Sequence, residues 1–426
     1  MSQTVNDSSA QPPSRSQSSS PSQPPLPSRS QPSSPSQPPS RYQRSSVSMA
    51  VTTSESARQR RKIAALEEQL HVLEAGHATK QRDTNYYMSQ GRAIRRMVTL
   101  YDSIEDLICE NDRRCEDDSE DVTIDQDRLQ MGYIALNSAI PWLNERASEL
   151  EHEDYVRMLK KLRQGADSAR GDDTSKLKNL VPDWINRDFK PNPPVDREDK
   201  NCRGFVHDAC GRLLCPTELD WQNPVVKTGI RDRADGYIVT EMSWPTFLYE
   251  KYSADQNDLE QGLFKSALLL QAFKAIFTSP SSAKDVDGDG DAANIIENNR
   301  RARRDISGRK VKTHVAQIIK MHKVTPRSIA YVACQLRFAL SSITSWRSVD
   351  GDFDYIQFWR NIVDFFERAP GRVAQRNIKE LLTWWTRKVF GTSRRADISN
   401  AAMSNMSVNA LARQRAQRDD AFFDSE

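Results

Sequence analysis

The stretch "TPRSIAYVACQLRFALSSI", Thr325 to Ile343, is apolar on nearly all of its helical faces. Thr325 is a favourable N-cap residue and Pro326 a favourable first helical residue, so a helix is predicted to begin here. A helix that is apolar all round must be covered by other elements on every side. We therefore predict a central helix inside a larger helical bundle.

A second apolar segment, "GLFKSALLLQAFKAIF" from Gly262 to Phe277, belongs to a predicted helix over Asp258 to Phe277. Its 16 residues include two lysines. This falls short of the roughly 20 apolar residues that cross a bilayer. The segment predicts a second buried helix and no contact with a membrane.

The flanking segments carry helical spacing as well, and they predict an all-α, multi-helix globular bundle with at most one short β-hairpin. A hairpin is expected at Arg203 to Pro216, where Gly211 could form the turn. The predicted helices cover residues 92–108, 131–151 with a bend at Pro141, 152–164, 173–186 with Asp173 or Thr174 as N-cap, 353–368, 371–390 with Gly391 as stop, and 410–416.

The first 57 residues are rich in Ser, Pro and Gln, and "SRSQSSSPSQPP" from Ser14 recurs almost unchanged from Ser28. Such a composition cannot bury enough apolar surface to offset chain entropy, so a disordered tail is predicted. Within it, Pro24, Pro27 and Arg29 have the P-x-x-P-x-R spacing of ligands for SH3-type domains. Chance occurrence in a proline-rich tail is the alternative.

A short coiled-coil-like helix is predicted over residues 58–85, where Ile63, Leu66, Leu70 and Leu73 are spaced as an a/d seam. Only about two heptads are present, so either self-association or packing on its own domain explains the pattern. The preceding "RQRRK", Arg58 to Lys62, is too short for the basic region of a DNA-binding zipper. It could serve nuclear import.

Composition and charge limit the classes of partner and the cellular compartment. The 61 basic and 58 acidic residues leave a net charge of +3, so no global field favours nucleic acid or membrane. Six cysteines and an N-terminus without an apolar signal segment predict a reducing intracellular compartment, either the nucleus or the cytoplasm. The predicted domains are a tail (1–57), the short helix (58–85), a helical domain (86–392) with an acidic and basic insertion (284–312), and a second tail (393–426).

Four motifs carry a resemblance to a known family: "RGFVHDACGRLLCP", "WPTFLYEKYSADQNDLEQGLFKSALLLQAFKAIFTSPSSA", "TPRSIAYVACQLRFALSSITSWRSVDGDFDYIQFW" and "IVDFFERAP". Together they resemble an uncharacterised domain-of-unknown-function family from mushroom-forming fungi, over about residues 172–391. The resemblance implies a fungal origin. It implies no activity, cofactor or catalytic residue.

"DVDGDGDAANIIE" opens like a calcium loop, with Asp285, Asp287 and Asp289 at the first ligand positions and Gly290 at the turn. The closing bidentate glutamate is missing, because Ile296 stands at position 12 and Glu297 comes one residue late. The pattern therefore favours a solvated acidic loop over a calcium site.

Cys202, His207, Cys210 and Cys215 could supply four zinc ligands, but their order differs from that of a zinc knuckle. Packed thiols and a hydrogen-bonded histidine are the favoured interpretation. No metal or cofactor is assigned.

The chain lacks the serine-elbow, P-loop and dinucleotide-binding motifs, and no catalytic residue is assigned. An alternative hypothesis is a metal-dependent enzyme that combines Asp285 to Asp289 with Asp350, Asp352 and Asp354. A turn and helix cap at Asp350 to Asp352 is favoured instead.

Two further features are basic. Binding of phosphate, nucleic acid or an import receptor is possible at a patch formed by Arg300, Arg301, Arg303, Arg304, Arg309, Lys310 and Lys312. Arg337 lies in the middle of the central helix, and a buried guanidinium needs a partner. We expect a carboxylate from another element to pair with it.

Together, these patterns favour a non-enzymatic protein-interaction protein. Protein partners are expected at the N-terminal tail or at the coiled-coil segment, with a second copy of the chain as one candidate. A metal-dependent enzyme and a nucleic-acid-binding protein are the alternatives.

Overall fold

The computed structural model describes residues 48–116, 122–284, 286–290, 314–391 and 398–423. It confirms the predicted all-α fold. Among these residues, the only strands are β1 (Val349–Asp350) and β2 (Phe353–Asp354), which pair antiparallel. Gly351 forms the turn between them with a φ of 62°. Left-handed backbone of this kind favours glycine.

The chain divides into two compact units, Met1–Val72 and Leu73–Glu426. Helix α1 (Ser48–Gly91) begins in the first unit and ends in the second. The second unit also contains α2 (Ile94–Met97), α3 (Ile104–Glu116), α4 (Ile124–Ala139), α5 (Leu143–Glu149), α6 (His152–Phe189), α7 (Asp208–Leu214), α8 (Pro224–Asp232), α9 (Ala267–Phe277), α10 (Val315–Ile318), α11 (Pro326–Leu340), α12 (Tyr355–Glu367), α13 (Arg372–Phe390), α14 (Asn400–Asn405) and α15 (Ser407–Phe423).

Helix α11 is the predicted central helix. Every residue from Arg327 to Leu340 is buried, and α11 packs against α2, α6, α9 and α12. Its start follows the sequence signal: Thr325 Oγ1 accepts a hydrogen bond from the Ser328 amide, and Ser328 Oγ accepts one from the Thr325 amide. This reciprocal cap satisfies two otherwise unpaired helical donors.

The second apolar segment is also buried, but its helix is shorter than predicted. Helix α9 begins at Ala267 rather than at Asp258, and Ser266 caps it by accepting a hydrogen bond from the Leu269 amide. Before it, Phe264 adopts a positive φ of 57°, which is incompatible with a continuing helix. From Leu268 to Phe277 every side chain is buried.

Two large hydrophobic cores share one long helix. The main core is built around α9, α11, α12 and α13 and includes Leu177, Val181 and Ile185 of α6. A second core lies between α2, α3, α4, α5 and the first half of α6, which contributes Met158 and Leu162. Helix α6 therefore connects the two cores.

The sequence predicted a break in α6 at Asp173 or Thr174, and this prediction is wrong. The helix runs without interruption from His152 to Phe189. Asp173 is fully buried and pairs with Arg96 instead of capping a helix. The Asp173 carboxylate, which local sequence predicted as a helix cap, thus forms a tertiary ion pair instead.

The predicted hairpin at Arg203 to Pro216 is also wrong, because this segment contains α7. Gly211 lies inside the helix, and its role is packing. A Cβ at this position would lie 2.3 Å from Cζ2 of Trp221, so only glycine allows the indole ring to sit against the helix. Glycine is required at position 211, but the reason is the close approach of Trp221 to the helix rather than a turn.

Candidate functional site

The apolar seam of α1 is exposed. Ile63, Leu66 and Leu70 keep 54%, 55% and 58% of their surface accessible, and every residue from Arg58 to His71 is exposed. The side chain of Leu73 lies outside the described part of the chain. Residues 58–85 lie within the longer helix α1, and the coiled coil stays a prediction. We call Ile63, Leu66, Leu70 and Leu73 the α1 seam.

The described half of the calcium-like loop is held by cations of α13. Arg387 Nε lies 3.2 Å from the Asp289 carboxylate, and Lys388 Nζ donates to the Asp287 carbonyl oxygen at 2.5 Å. The Gly290 amide donates to the Arg387 carbonyl oxygen at 3.0 Å. Asp285 lies outside the described residues. Arg387 therefore occupies one carboxylate that a calcium ion would need.

The four proposed zinc ligands do not form a site. His207 caps α7: its Nδ1 accepts from the Ala209 amide, and its Nε2 lies 3.0 Å from the Pro193 carbonyl oxygen. Both ring nitrogens are therefore engaged. The Cys202 thiol is exposed and donates to Asp199, whereas Cys210 and Cys215 are buried.

Burial raises the pKa of Cys210 and of Cys215 to about 12. These two groups are therefore protonated thiols at neutral pH, which is unfavourable for metal binding. Among residues 48–116, 122–284, 286–290, 314–391 and 398–423, no three His, Cys, Asp or Glu side chains gather in a way that could hold a metal ion.

The aspartates of the enzyme hypothesis point to separate partners. Asp350 lies 3.6 Å from Arg337, and Asp352 pairs with Arg233 at 2.5 Å. Asp354 caps α12 by accepting from the Ile356 amide at 2.7 Å. The cap is thus Asp354 rather than Asp350 to Asp352, and the helix begins at Tyr355 rather than Phe353. The described aspartates do not share one site.

Arg337 is buried in α11 and contacts three groups of the β1–β2 region. Its Nη1 donates to the Tyr355 hydroxyl at 2.8 Å and lies 3.6 Å from the Asp350 carboxylate. Its guanidinium lies 3.1 Å from the centre of the Phe353 ring. These contacts fix the β-hairpin on the central helix, which is a structural role.

The remaining sequence candidates lie outside the described residues. They are Pro24, Pro27 and Arg29 of the tail and the basic patch formed by Arg300, Arg301, Arg303, Arg304, Arg309, Lys310 and Lys312.

Sequence reasoning missed the most deeply buried ion pair of the described residues. Arg96 and Asp173 are 1% and 0% exposed, and the guanidinium donates to the two carboxylate oxygens at 2.7 and 2.9 Å. The Tyr331 hydroxyl of α11 donates to the same carboxylate at 2.9 Å. Burial is the largest single influence and lowers the pKa of Arg96, but the charge and hydrogen bond of Asp173, together with smaller contributions from Tyr331 and Asp172, leave the pKa raised.

A second missed arginine joins the central helix to both cores. Arg327 of α11 pairs with Glu367 of α12 at 2.8 Å. Its other nitrogens donate to the carbonyl oxygens of Val98 at 2.7 Å and Arg128 at 3.1 Å. With all these acceptors engaged, the buried charge of Arg327 is structural.

Two buried cations lie at the C-terminal end of α11. Arg203 Nη1 donates to the Ala339 carbonyl oxygen at 3.0 Å, and Lys200 Nζ donates to the Ile343 carbonyl oxygen. Cations are favourable here because the last carbonyl groups of a helix carry partial negative charge. Burial and, secondarily, the charge of Arg203 lower the pKa of Lys200 to about 7.

An open cleft of about 830 Å³ lies between the loop before α9 and α13. Its lining includes Lys265, Arg376 and Lys379, but also Asp258, Glu260 and Glu380. Asn377 donates to Glu260 at 3.3 Å across it. Charges of both signs line the cleft, so it selects neither anions nor cations.

The model of a family of unknown function, DUF6698, matches residues 164–390, which is just over half of the chain. No curated protein and no solved structure matches the chain. Within the described ranges, no helix combines the length and apolar character needed to cross a membrane.

Proposed function

The chain belongs to the DUF6698 family, whose function is unknown, and we propose that it is a non-enzymatic protein-interaction protein that self-associates. The observation that carries the proposal is the exposed α1 seam. Three large apolar side chains, Ile63, Leu66 and Leu70, lie along one stripe of a helix with about half of their surface exposed.

Burial of such a stripe is favourable in free energy. Covering a fully exposed Leu or Ile side chain is worth about 1.5–3 kcal/mol. A 3, 4, 3 spacing is the pattern by which two helices interdigitate their apolar side chains. A second copy of the same helix offers the same stripe, so self-association would cover the α1 seam.

The buried polar groups support the non-enzymatic part of the proposal. Arg96, Arg327 and Arg337 all bind groups of the protein itself. Asp289, Asp350 and Asp352 lie against separate cations, and Asp354 accepts from the amides of α12. These described groups thus hold the fold together.

The proposal is tested by sedimentation of the full chain over a series of concentrations. We expect a mass above the 48.5 kDa of one chain, and a shift towards 48.5 kDa in Leu66→Asp/Leu70→Asp. The matched control is Ala64→Asp/Ala65→Asp, which adds the same charges to the same helix outside the seam. A monomeric wild-type chain, or equal behaviour of the two variants, would refute self-association.

We also propose that the tail binds partner proteins. The support is the sequence Pro24 to Arg29, which has the spacing of an SH3-type ligand. Affinity purification should compare the full chain with two deletions, of residues 1–57 and of residues 1–85. Partners lost with the shorter deletion bind the tail. Partners lost only with the longer deletion depend on α1.

A nuclear location in a fungal cell belongs to the same proposal. It is supported by the exposed basic run Arg58 to Lys62 on α1 and by the motif resemblance to a fungal family. Arg58→Ala/Arg60→Ala/Arg61→Ala in a fluorescent fusion should reduce nuclear accumulation. Unchanged distribution between nucleus and cytoplasm would contradict the import role.

A further inference from the structure

We infer that α1 pairs in parallel and in register with α1 of a second copy of this chain. The inference rests on the proposed self-association and adds its orientation. It is carried by the charges that flank the α1 seam, because a seam of Ile and Leu alone does not distinguish parallel from antiparallel helices.

The heptad positions follow from the spacing of the seam. Ile63 and Leu70 occupy a positions, and Leu66 and Leu73 occupy d positions. Lys62 and Gln69 then fall at g, and Glu67 falls at e. Lys62, Glu67 and Gln69 are all exposed on α1. They are therefore free to meet a second helix beside the seam.

In a parallel pair, a g residue of one helix faces the e residue five positions later on the other helix. Lys62 of each copy then faces Glu67 of the other, which gives two pairs of opposite charge. In an antiparallel pair centred on the seam, e faces e and g faces g. Glu67 would then meet Glu67 of the other copy, and Gln69 would meet Gln69.

The residues of the seam bear on the number of helices rather than on their orientation. A β-branched residue at a with leucine at d is the combination that supports two parallel strands. Ile63 at a with Leu66 at d follows this rule. The parallel orientation therefore rests on charge complementarity, and the Ile63–Leu66 layer agrees with two strands, whereas Leu70 at the second a position does not follow the rule.

Charge exchange tests the orientation in the full chain. Lys62→Glu and Glu67→Lys each place like charges opposite each other in a parallel pair, so each should weaken self-association on the order of tenfold. Mixing the two single variants restores opposite charges at both pairs. The mixture should form a heterodimer about as strong as the wild-type pair, and so should the double variant Lys62→Glu/Glu67→Lys with itself.

The readout is sedimentation, with one variant carrying a fluorescent label so that mixed pairs are seen directly. Glu68→Lys, at an outer position of the same turn, is the control for net charge and should leave association near the wild-type level. If Lys62→Glu associates normally while Glu67→Lys pairs best with the wild-type chain, the helices are antiparallel and the inference is overturned.

Failure of the parallel orientation can be distinguished from failure of the proposed self-association. A wild-type chain that associates through the α1 seam but gives no recovery in the mixture refutes only the parallel orientation. A wild-type chain that does not associate refutes both.

Discussion

Asp173 shows how a tertiary contact can override the local structure that a residue type favours. In "ARGDDTSKL" it stands among Gly, Asp and Thr, the residues that favour turns and helix caps. In the structure it lies in the middle of α6 and binds Arg96 and Tyr331. Arg337 could be found from sequence because apolar residues surround it, whereas Arg96 lies in an ordinary amphipathic pattern.

Asp173→Asn should lower the free energy of unfolding by about 3–5 kcal/mol, since it leaves the buried charge of Arg96 without its counter-charge. The neighbouring Asp172 is the matched control. It pairs with Arg92 at 2.8 Å, but 58% of its side chain is exposed. Asp172→Asn should change stability by less than about 1 kcal/mol. Urea unfolding measures both, and equal effects would contradict the role given to Asp173.

Lys200 should make the stability of the folded chain depend on pH. Its pKa is lowered to about 7, below the ordinary lysine value of about 10.4. Between these values the unfolded chain binds more protons at this site than the folded chain does. The contribution of Lys200 to stability therefore rises with pH through this window and is constant below it.

The measurement is the difference in unfolding free energy between the wild-type chain and Lys200→Met at several pH values. This difference should shift in favour of the wild type as pH rises from about 7 to about 9.5. Lys160 is an exposed lysine of α6, and Lys160→Met should show no such trend. A pH-independent difference for Lys200→Met would show that the pKa is not lowered.

At the scale of elements, the seam and the central helices were predictable and α6 was not. Local signals located both: the cap residues Thr325 and Pro326 with all-round apolarity predicted α11, and the 3, 4, 3 spacing predicted the α1 seam. Helix α6 also crosses α1 at close range, and no local pattern encodes this contact. A Cβ at Gly165 would lie 2.1 Å from the Met88 carbonyl oxygen, and one at Gly91 would lie 2.0 Å from the Leu162 carbonyl oxygen.

Two glycines of α6 therefore have opposite predicted responses to alanine. Gly165→Ala should destabilise the protein by about 1–3 kcal/mol or more, because the backbone of α1 must move away. Gly171 has no atom within 4 Å of its Cβ position, so Gly171→Ala should stabilise it by about 0.4–1 kcal/mol. Thermal unfolding of both variants tests the crossing. Similar melting temperatures would rule out the close approach.

For the whole molecule, the four sequence motifs located the region that the family model matches, but they did not predict the second core. The resemblance covered about residues 172–391, and the family match covers residues 164–390. The second core mostly precedes this region. Arginines connect the two: Arg96 reaches Asp173, Arg327 reaches the Val98 carbonyl oxygen, and Arg128 pairs with Asp364 at 2.5 Å. Sequence could not show these links, because they join residues far apart in the chain.

These links predict that the family region alone is an incomplete folding unit. A fragment of residues 164–390 keeps Asp173 and Arg327 but loses Arg96 and Val98, which satisfy them. It should melt well below a fragment of residues 86–392, the domain proposed from sequence. Arg96→Met in the longer fragment removes one link without removing the second core, and it should fall between the two. Equal melting of the two fragments would mean that the second core folds independently and adds nothing to the family domain.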